Sequence, residues 1–266
     1  MLDMLRRGRD AFGFVAIKAE FEAEGTRPDE FQKLLDLTRK ADLKVALKIG
    51  GCEAITDLHA SRLYGVDYII APMVETPYAL SKFVDARDKV YGPPGHYDTH
   101  FLVNVETHTS LANLDDIAAV ALAGQLNGIV FGRVDFTLSN GFARSAVNDA
   151  RICEAVLKVG RKCADLDLDL VVGGSVSRDA MEALRLFAGT RLDRFETRKV
   201  VFDGAIARGP KLGAAIDAAV EFELAWLKSK RAHYRAIASE DDVRIEMIES
   251  RLAPEDRRAV GGAGGF

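Results

Sequence analysis

Residues 101–107 read Phe-Leu-Val-Asn-Val-Glu-Thr, a short apolar run that stops at the carboxylate of Glu106. A second run, Gly-Ile-Val-Phe-Gly-Arg-Val-Asp at residues 128–135, stops in the same way at Asp135. This pattern is typical of buried parallel strands that present a side chain at their C-terminal ends. In an α/β barrel, that end of the strands forms the active-site face. The two runs therefore predict that both carboxylates face one functional site.

Strand-like and helix-like segments alternate from residue 13 to about residue 200. Such alternation predicts βα units and a parallel sheet. No GxGxxG motif follows the first strand, at 13–19, so a nucleotide-binding open sheet loses support. We therefore predict an α/β protein with a TIM (β/α)8-type barrel. Seven strands are evident, so the barrel is irregular, one strand short, or completed by a strand split from residues 195–203.

The pattern changes after Pro210. We assign residues 1–210 to the barrel, as the catalytic domain, and residues 211–266 to C-terminal helices and a flexible tail. Apolar residues at helical spacing predict one helix at 211–235, and a charged helix follows at about 239–251. Because such an extension often packs on a neighbouring subunit, we expect a homo-oligomer formed through the C-terminal helices.

The composition fits one large barrel domain. The chain has 266 residues, of which 48% are hydrophobic, and its formal net charge of −4 offers no field for a polyanion, so we expect no nucleic-acid partner. Cys52, Cys153 and Cys163 lack the spacing of a zinc site and fit a reducing compartment. We find neither a secretory signal nor an apolar run approaching the roughly 20 residues of a membrane span, and expect a cytoplasmic protein.

The two strand-end acids are candidate metal ligands. Carboxylate oxygens are the hard ligands that Mg²⁺ or Mn²⁺ binds, with water and substrate completing the coordination shell. Glu106 and Asp135 would each contribute one such group from neighbouring strands. The alternative is that both are ordinary strand-end acids in helix caps or salt bridges.

The motifs resemble one known family. Residues 102–107, Leu-Val-Asn-Val-Glu-Thr, are followed by Leu-Asp-Asp-Ile at 114–117 and by Asn-Gly-Ile-Val-Phe-Gly-Arg-Val-Asp-Phe-Thr-Leu at 127–138. Together with the Pro-Met-Val that ends the strand near residue 72, this arrangement resembles the HpcH/HpaI aldolase and citrate lyase family. The resemblance runs from about residue 14 to residue 200.

The resemblance implies a metal-dependent carbon–carbon lyase or aldolase. Glu106 and Asp135 would bind the divalent metal, Mg²⁺ or Mn²⁺, which would chelate a pyruvate-like 2-oxo acid and stabilise its enolate. The second substrate would be an aldehyde, a sugar or a thioester. Backbone N–H groups at Gly132, Arg133 and Val134 would bind the substrate carboxylate.

Several positions depart from the family pattern. Lys48 occupies the strand end where relatives carry an Arg that contacts the oxo group, and it keeps the charge without a bidentate fork. Arg133 replaces a Pro and is expected to add a cation close to the metal. Many relatives carry a Glu-His pair after the strand at 13–19, and this chain has no histidine there.

The general base is therefore open among Glu20, Glu22, His108 and a metal-bound water. Glu20 and Glu22 share one face of the first strand, and we assign them and Lys48 as the catalytic residues. Lys18 lies on the same face and is the candidate for an imine-forming mechanism. The neighbouring acids would favour its charged form, which is not nucleophilic.

Two further segments have open roles. The Gly-Gly-Ser segment at 173–175 either binds a phosphate or other anion through the backbone of Gly173 and Gly174, or forms a tight turn that needs glycine. Glu196 and Arg198 belong either to an ion network on the barrel floor or to a substrate anchor. For the whole chain, the alternative to a lyase is a non-catalytic or partner-dependent barrel subunit that retains the fold and the metal carboxylates.

Overall fold

The computed structural model describes residues 1–252, and within them eight strands close into a barrel in chain order. The predicted α/β barrel is therefore confirmed. The strands are β1 (Phe14–Glu20), β2 (Lys44–Lys48), β3 (Tyr68–Ala71), β4 (His100–Val105), β5 (Gly128–Gly132), β6 (Asp169–Gly173), β7 (Arg194–Glu196) and β8 (Val200–Asp203).

Helices connect β1 to β7, with one more helix before β1 and one after β8. They are α1 (Leu2–Phe12), α2 (Pro28–Lys40), α3 (Ile55–Tyr64), α4 (Pro77–Tyr91), α5 (His108–Ala112), α6 (Leu114–Ala123), α7 (Arg133–Ser139), α8 (Ala150–Leu166), α9 (Met181–Ala188) and α10 (Leu212–Leu252). Local sequence sets their starts: the Thr76 hydroxyl accepts a hydrogen bond from the Ala79 N–H, and Pro77 occupies the first helical position of α4.

The barrel closes through an antiparallel hairpin. Strands β1 to β7 pair parallel in sequence order, whereas β8 runs antiparallel to both β7 and β1. The segment predicted at residues 195–203 therefore contributes to two strands, β7 and β8, and supplies the eighth strand, which is one of the three arrangements that the sequence allowed. Because β8 reverses direction, the turn between β7 and β8 lies at the C-terminal face of the barrel. The Thr197 N–H donates to the Val200 carbonyl oxygen, 2.9 Å away, and closes this turn.

Alternation along the strands divides the barrel interior into two zones. Since every second residue points inward, the lower zone is apolar and includes Ala16, Leu102 and Val171. Two residues further along the strands, the inward positions become polar or glycine, as at Lys18, Asn104 and Gly173. The closed core therefore ends halfway up the barrel, and an open cavity lies above it.

The C-terminal region differs from the sequence prediction. A single helix, α10, spans Leu212–Leu252, where we predicted two helices, because residues 236–239 contain no glycine or proline to interrupt it. One compact unit covers Met1–Glu223, and a second begins at Leu224. The domain division at residue 210 and the oligomer through this region stay predictions, and the tail at 261–266 lies outside the described residues. Across residues 1–252, no helix is long and apolar enough to span a membrane.

Candidate active site

A cavity of about 430 Å³ opens at the C-terminal ends of the strands. Ten charged side chains line it, the acids Glu20, Glu22, Glu106, Asp135, Glu196 and Glu223 and the cations Lys18, Lys48, Arg144 and Arg198. The structure also brings Gly132, Val134, Gly173 and Gly174 to its wall. Of the residues that the sequence analysis assigned as metal-binding, catalytic or substrate-binding, only Arg133 does not line the cavity.

Glu106 lies at the buried end of this cavity, with 2% of its surface exposed. Its Oε1 atom accepts a hydrogen bond from the Met73 N–H at 3.0 Å. Burial raises the pKa of Glu106 above its usual value, and the negative charge of Asp135 adds to this effect although Lys48 opposes it. The two predicted metal carboxylates are therefore close enough to repel each other.

The surroundings of these carboxylates fit a divalent cation. The Asp135 side chain makes no hydrogen bond or ion pair with any residue in the range 1–252. Asn104 lies beside Glu106, and its buried Oδ1 atom has no hydrogen-bond partner in the described part of the chain. The cavity wall carries six acids and four cations, so its formal charge is −2.

The protein itself would supply few ligands to such an ion. Residues 1–252 contain no group of three or more His, Cys, Asp or Glu side chains placed to hold a metal. Mg²⁺ is commonly bound by one or two carboxylates, with waters and substrate completing its shell. A pair formed by Glu106 and Asp135 suits that type of site better than a closed, all-protein site.

Lys48 lies between the metal carboxylate and a second acid. Its Nζ atom is 2.8 Å from Glu22 Oε2 and 3.7 Å from Glu106 Oε1. Burial by itself would lower the pKa of Lys48, but the charge of Glu106 and the contact with Glu22 raise it above its usual value. Lys48 therefore stays a cation beside the candidate metal site, where the family resemblance expects a positive charge.

Lys18 is held by two carboxylates. Its Nζ atom donates to Glu196 Oε1 at 2.5 Å and lies 3.2 Å from Glu20 Oε1. Burial alone would lower the pKa of Lys18, but the charges of Glu196 and Glu20 raise it well above its usual value. An ammonium group is not a nucleophile, so this environment argues against the imine-forming mechanism.

The Arg133 side chain does not reach the cavity. It is fully buried and donates to the carbonyl oxygens of Gly173 (3.2 Å) and Gly174 (2.7 Å) and to Asn148 Oδ1 (2.7 Å). Burial lowers its pKa to about 10. The expectation that Arg133 adds a cation near the metal is thus wrong, because the side chain fastens the turn after β6 to the start of α7.

The turn after β6 packs directly on the backbone at the start of α7. A β-carbon built on Gly174 would lie 2.7 Å from the backbone nitrogen of Val134 and 3.0 Å from that of Arg133. Gly174 also has a φ of +86°, which favours glycine. Both observations support the tight-turn interpretation of residues 173–175, and the predicted role of Gly173 and Gly174 in substrate binding stays a prediction.

The remaining sequence candidates are placed by the hairpin and by α5. Glu196 ends β7 and Arg198 lies in the turn, so both belong to the cavity wall and not to the barrel floor. The His108 ring contacts the Ser139 carbonyl oxygen through Nδ1 at 3.1 Å and does not line the cavity, which argues against it as the base. Sequence reasoning missed Asn104, although its inward position two residues before Glu106 follows from strand alternation.

A barrel with a charged cavity at the C-terminal ends of its strands is the architecture of α/β-barrel enzymes. Residues 32–180 match the sequence model of the HpcH/HpaI aldolase/citrate lyase family. Since this match covers more than half of the 266 residues, the chain belongs to that family. The expectation drawn from the motifs is thus confirmed at the level of the family, whose members are aldolases and lyases.

Solved structures share the fold at low sequence identity. An HpcH/HpaI aldolase from Desulfitobacterium hafniense is 14% identical with a TM-score of 0.58, over 74% of this chain and 82% of that one. A family protein from Burkholderia cenocepacia is 14% identical with a TM-score of 0.57, over 84% and 100% of the two chains. RipC from Yersinia pestis is 19% identical with a TM-score of 0.52, over 76% and 86%. No curated protein sequence matches the chain significantly.

Proposed function

We propose that this protein is a divalent-metal-dependent carbon–carbon lyase or aldolase that acts on a pyruvate-like 2-oxo acid through its enolate. The observation that carries the proposal is the pairing of Glu106 and Asp135 at the buried end of one cavity. Family membership supports the general reaction class. The metal is argued from the carboxylates of the cavity wall, and the 2-oxo acid is what the family resemblance implies.

Enolate formation creates negative charge on the C2 oxygen of the acid. A divalent cation held by Glu106 and Asp135 would supply the positive charge that stabilises this oxygen. Lys48 adds a second positive charge on the same side of the cavity, since its Nζ atom is 3.7 Å from Glu106 Oε1. We assign Lys48 to orienting and stabilising the oxo group, and the backbone at Gly132 and Val134 to the substrate carboxylate.

A base must remove a proton from the carbon next to the carbonyl group. Burial would raise the pKa of Glu20, but the charges of Lys18, Lys48 and Arg198 together lower it below its usual value, which makes Glu20 a weak base. Glu22 forms an ion pair with Lys48, whose Nζ atom is 2.8 Å from Glu22 Oε2, and within residues 1–252 it makes no ion pair with another cation. We therefore favour Glu22 over Glu20 as the proton acceptor.

The reaction balances without an oxidant or reductant. The base takes one proton from the methyl carbon of pyruvate, and the electron pair of that C–H bond moves into the enolate. The enolate carbon then forms a bond to an aldehyde carbon, whose carbonyl oxygen becomes an alkoxide and takes a proton. The product is a 4-hydroxy-2-oxo acid, and the reverse sequence is the cleavage.

The half-reaction with pyruvate alone tests the proposal. In D₂O with Mg²⁺ or Mn²⁺, NMR should show exchange of the pyruvate methyl protons that stops when the metal is chelated. Glu22→Gln should lose more of this exchange than Glu20→Gln, whereas the exposed Glu182→Gln serves as a matched control. Failure of a metal-binding protein to exchange these protons would support the non-catalytic or partner-dependent subunit instead.

A further inference from the structure

The second compact unit of the chain begins at Leu224, and its described part is the later portion of α10. Four large aliphatic side chains of this portion are 51–54% exposed, and they are Leu224, Leu227, Ile245 and Ile248. A helix in water is stabilised mainly by packing of its apolar face, and contiguous exposed apolar surface marks an interaction site. The four side chains therefore point to a surface that another molecule covers.

These four residues belong to one regular repeat. From Leu224, alternating steps of three and four residues give positions 224, 227, 231, 234, 238, 241, 245 and 248, which read Leu, Leu, Arg, Tyr, Ala, Asp, Ile and Ile. Such steps define the a and d positions of the heptad repeat of coiled coils. We call these eight residues the α10 stripe. Because its period is shorter than that of a straight helix, the stripe stays in contact with a second helix that winds around the first.

The α10 stripe is complementary to itself when it is reversed. In two antiparallel copies related by a two-fold axis near residue 236, each residue of the stripe faces a residue of the second copy, and each contact occurs twice. The facing apolar pairs are Leu224 with Ile248, Leu227 with Ile245, and Tyr234 with Ala238. Aliphatic side chains thus meet aliphatic ones towards both ends, and near the axis a large side chain meets a small one.

The two charged residues of the stripe also face each other in this arrangement. Arg231 of one copy lies opposite Asp241 of the other, and both are exposed in the single chain. Within its own helix Asp241 contacts Arg244, with 3.2 Å between Oδ1 and the guanidinium. A shift by one heptad would place Arg231 opposite Ile248 or Tyr234 instead. Since polar residues at a and d positions specify register, this pair favours one alignment of the two helices.

Charges beside the stripe favour the same alignment. The exposed residues that directly follow the d positions are basic in the first half, Lys228 and Arg235, and acidic in the second half, Asp242 and Glu249. On two antiparallel helices these positions lie on the same side and face one another. Lys228 then faces Glu249, and Arg235 faces Asp242. Charges at such flanking positions set the orientation of coiled-coil partners.

A parallel arrangement in the same register has the opposite electrostatics. It would place Arg231 against Arg231 of the second copy and Asp241 against Asp241. Lys230 would also lie beside Arg235 of the second helix. Like charges at facing positions disfavour an interface, so the sequence of charges along α10 selects the antiparallel pair.

We propose that residues 224–248 of two copies of this chain pair as an antiparallel two-stranded coiled coil with Arg231 opposite Asp241. At a rise of 1.5 Å per residue, the paired segment is about 36 Å long. A second copy is the partner that the stripe selects, because a different partner would not require the stripe to complement itself in reverse. This inference does not depend on the proposed reaction.

Cysteines at facing positions test orientation and register in the full-length protein. Leu224→Cys and Ile248→Cys are made separately, each with Cys52→Ser, which removes the partly exposed native thiol. After mixing and mild oxidation we expect a disulfide-linked dimer from the two proteins together and from neither alone. In the antiparallel pair, the two copies of residue 224 lie about 36 Å apart, too far for a disulfide. Ala232→Cys, at an exposed position outside the stripe, replaces Leu224→Cys in the control mixture.

Reversal of the central charge tests the pairing of Arg231 with Asp241. Arg231→Asp places like charges opposite each other twice in the dimer, so the Kd of self-association should rise by about 100-fold or more. Sedimentation equilibrium measures this change. Adding Asp241→Arg to the same chain should restore the association, because the pair is then only exchanged. Glu246→Arg, an exposed charge reversal outside the stripe and its flanking positions, should leave Kd unchanged.

The outcomes are distinct. A cross-link in either single protein alone would show a parallel pair and overturn the proposal, and equal cross-linking in the Ala232→Cys mixture would do the same. A full-length protein that stays monomeric would show that no second copy covers the stripe. Self-association that is unchanged in Arg231→Asp would also overturn the proposal, since the dimer would then use a different surface.

Discussion

Glu106 directly follows β4 and Gly132 ends the neighbouring strand β5. A β-carbon built on Gly132 would be 2.4 Å from Glu106 Oε2 and 2.8 Å from Glu106 Cβ. No side chain other than hydrogen fits between the end of β5 and this carboxylate. The φ of Gly132 is −86°, so the backbone itself would accept alanine. The glycine is therefore required by the position of Glu106 and not by a turn.

Gly132→Ala should displace the Glu106 carboxylate. We expect the free energy of unfolding to fall by about 1–3 kcal/mol, as for other overpacked sites. Affinity for Mn²⁺ should fall by roughly 10- to 100-fold, as when the support of a metal ligand is lost. Thermal unfolding and calorimetric Mn²⁺ titration measure the two effects. Gly51→Ala is the matched control, because a β-carbon there would meet no atom within 4 Å, and equal behaviour of the two variants would contradict the argument.

Glu106→Gln and Asp135→Asn should each abolish Mn²⁺ binding while the protein stays folded. Each variant keeps the size of the side chain and removes the charge that a hard cation requires. Calorimetry measures the binding, and circular dichroism checks the fold. The exposed Asp116→Asn on α6 is the control. Undiminished Mn²⁺ binding by both variants would refute the assignment of the ligands.

Metal binding should weaken in mild acid. Burial, followed by the charge of Asp135, raises the pKa of Glu106 above its usual value of 4.5. A cation binds the deprotonated carboxylate, so protons compete with it as the pH falls through this raised pKa. Titrations with Mn²⁺ at decreasing pH should show the loss of affinity beginning above pH 4.5. If affinity is constant down to the usual pKa of a glutamate, Glu106 is not the group that binds.

Lys18→Met should destabilise the fold strongly. It would leave Glu20 and Glu196 buried in the barrel without the cation that they share, and the loss of one partner from a buried ion pair costs about 3–5 kcal/mol. Chemical denaturation measures this difference in the free energy of unfolding. Lys158→Met, at an exposed position on α8, should change it little. Equal stability of the two variants would show that the Lys18 cluster is not formed in solution.

The strand pattern allowed much of this site to be predicted. A carboxylate at the end of an apolar run is a local signal, and it placed Glu106, directly after β4, and Asp135 on the active-site face. Asp135 lies in the first turn of α7, three residues beyond β5, and not at the strand end that the sequence predicted. Lys48 was assigned through the family resemblance. The location of Arg198 could not be assigned, because it depends on the direction of β8. If β8 ran parallel to β1, it would begin at the N-terminal face of the barrel, away from the cavity. The antiparallel pairing of Val200–Asp203 with β1 and β7 places the turn that contains Arg198 at the cavity.

The direction of the Arg133 side chain could not be predicted from the sequence either. The residue follows a strand directly, and its sequence position gives no indication that two carbonyl oxygens of the next turn lie within reach.

The merging of the two predicted helices into α10 has a simpler cause. Charge composition changes near residue 239, but a change of charge does not end a helix in the absence of glycine or proline.

Lys48→Ala should lower kcat for the pyruvate half-reaction by about 100-fold, the effect of removing one group that stabilises developing charge on oxygen. The reason is its contact with Glu106 and its raised pKa, which together keep a cation beside the site of the enolate oxygen. Initial rates of deuterium exchange over a range of pyruvate concentrations separate kcat from KM. Lys40→Ala is the control, because Lys40 is an exposed lysine that pairs with Asp36 on α2.

The division of the effect between kcat and KM decides the role of Lys48. A loss in kcat and in kcat/KM together means that the cation acts on the transition state, whereas a rise in KM alone means uniform binding of the acid. Lys48→Arg should restore only part of the rate, since the longer guanidinium must fit between Glu22 and Glu106. Full activity in Lys48→Ala would refute the role of this residue and leave the metal carboxylates as the source of stabilisation.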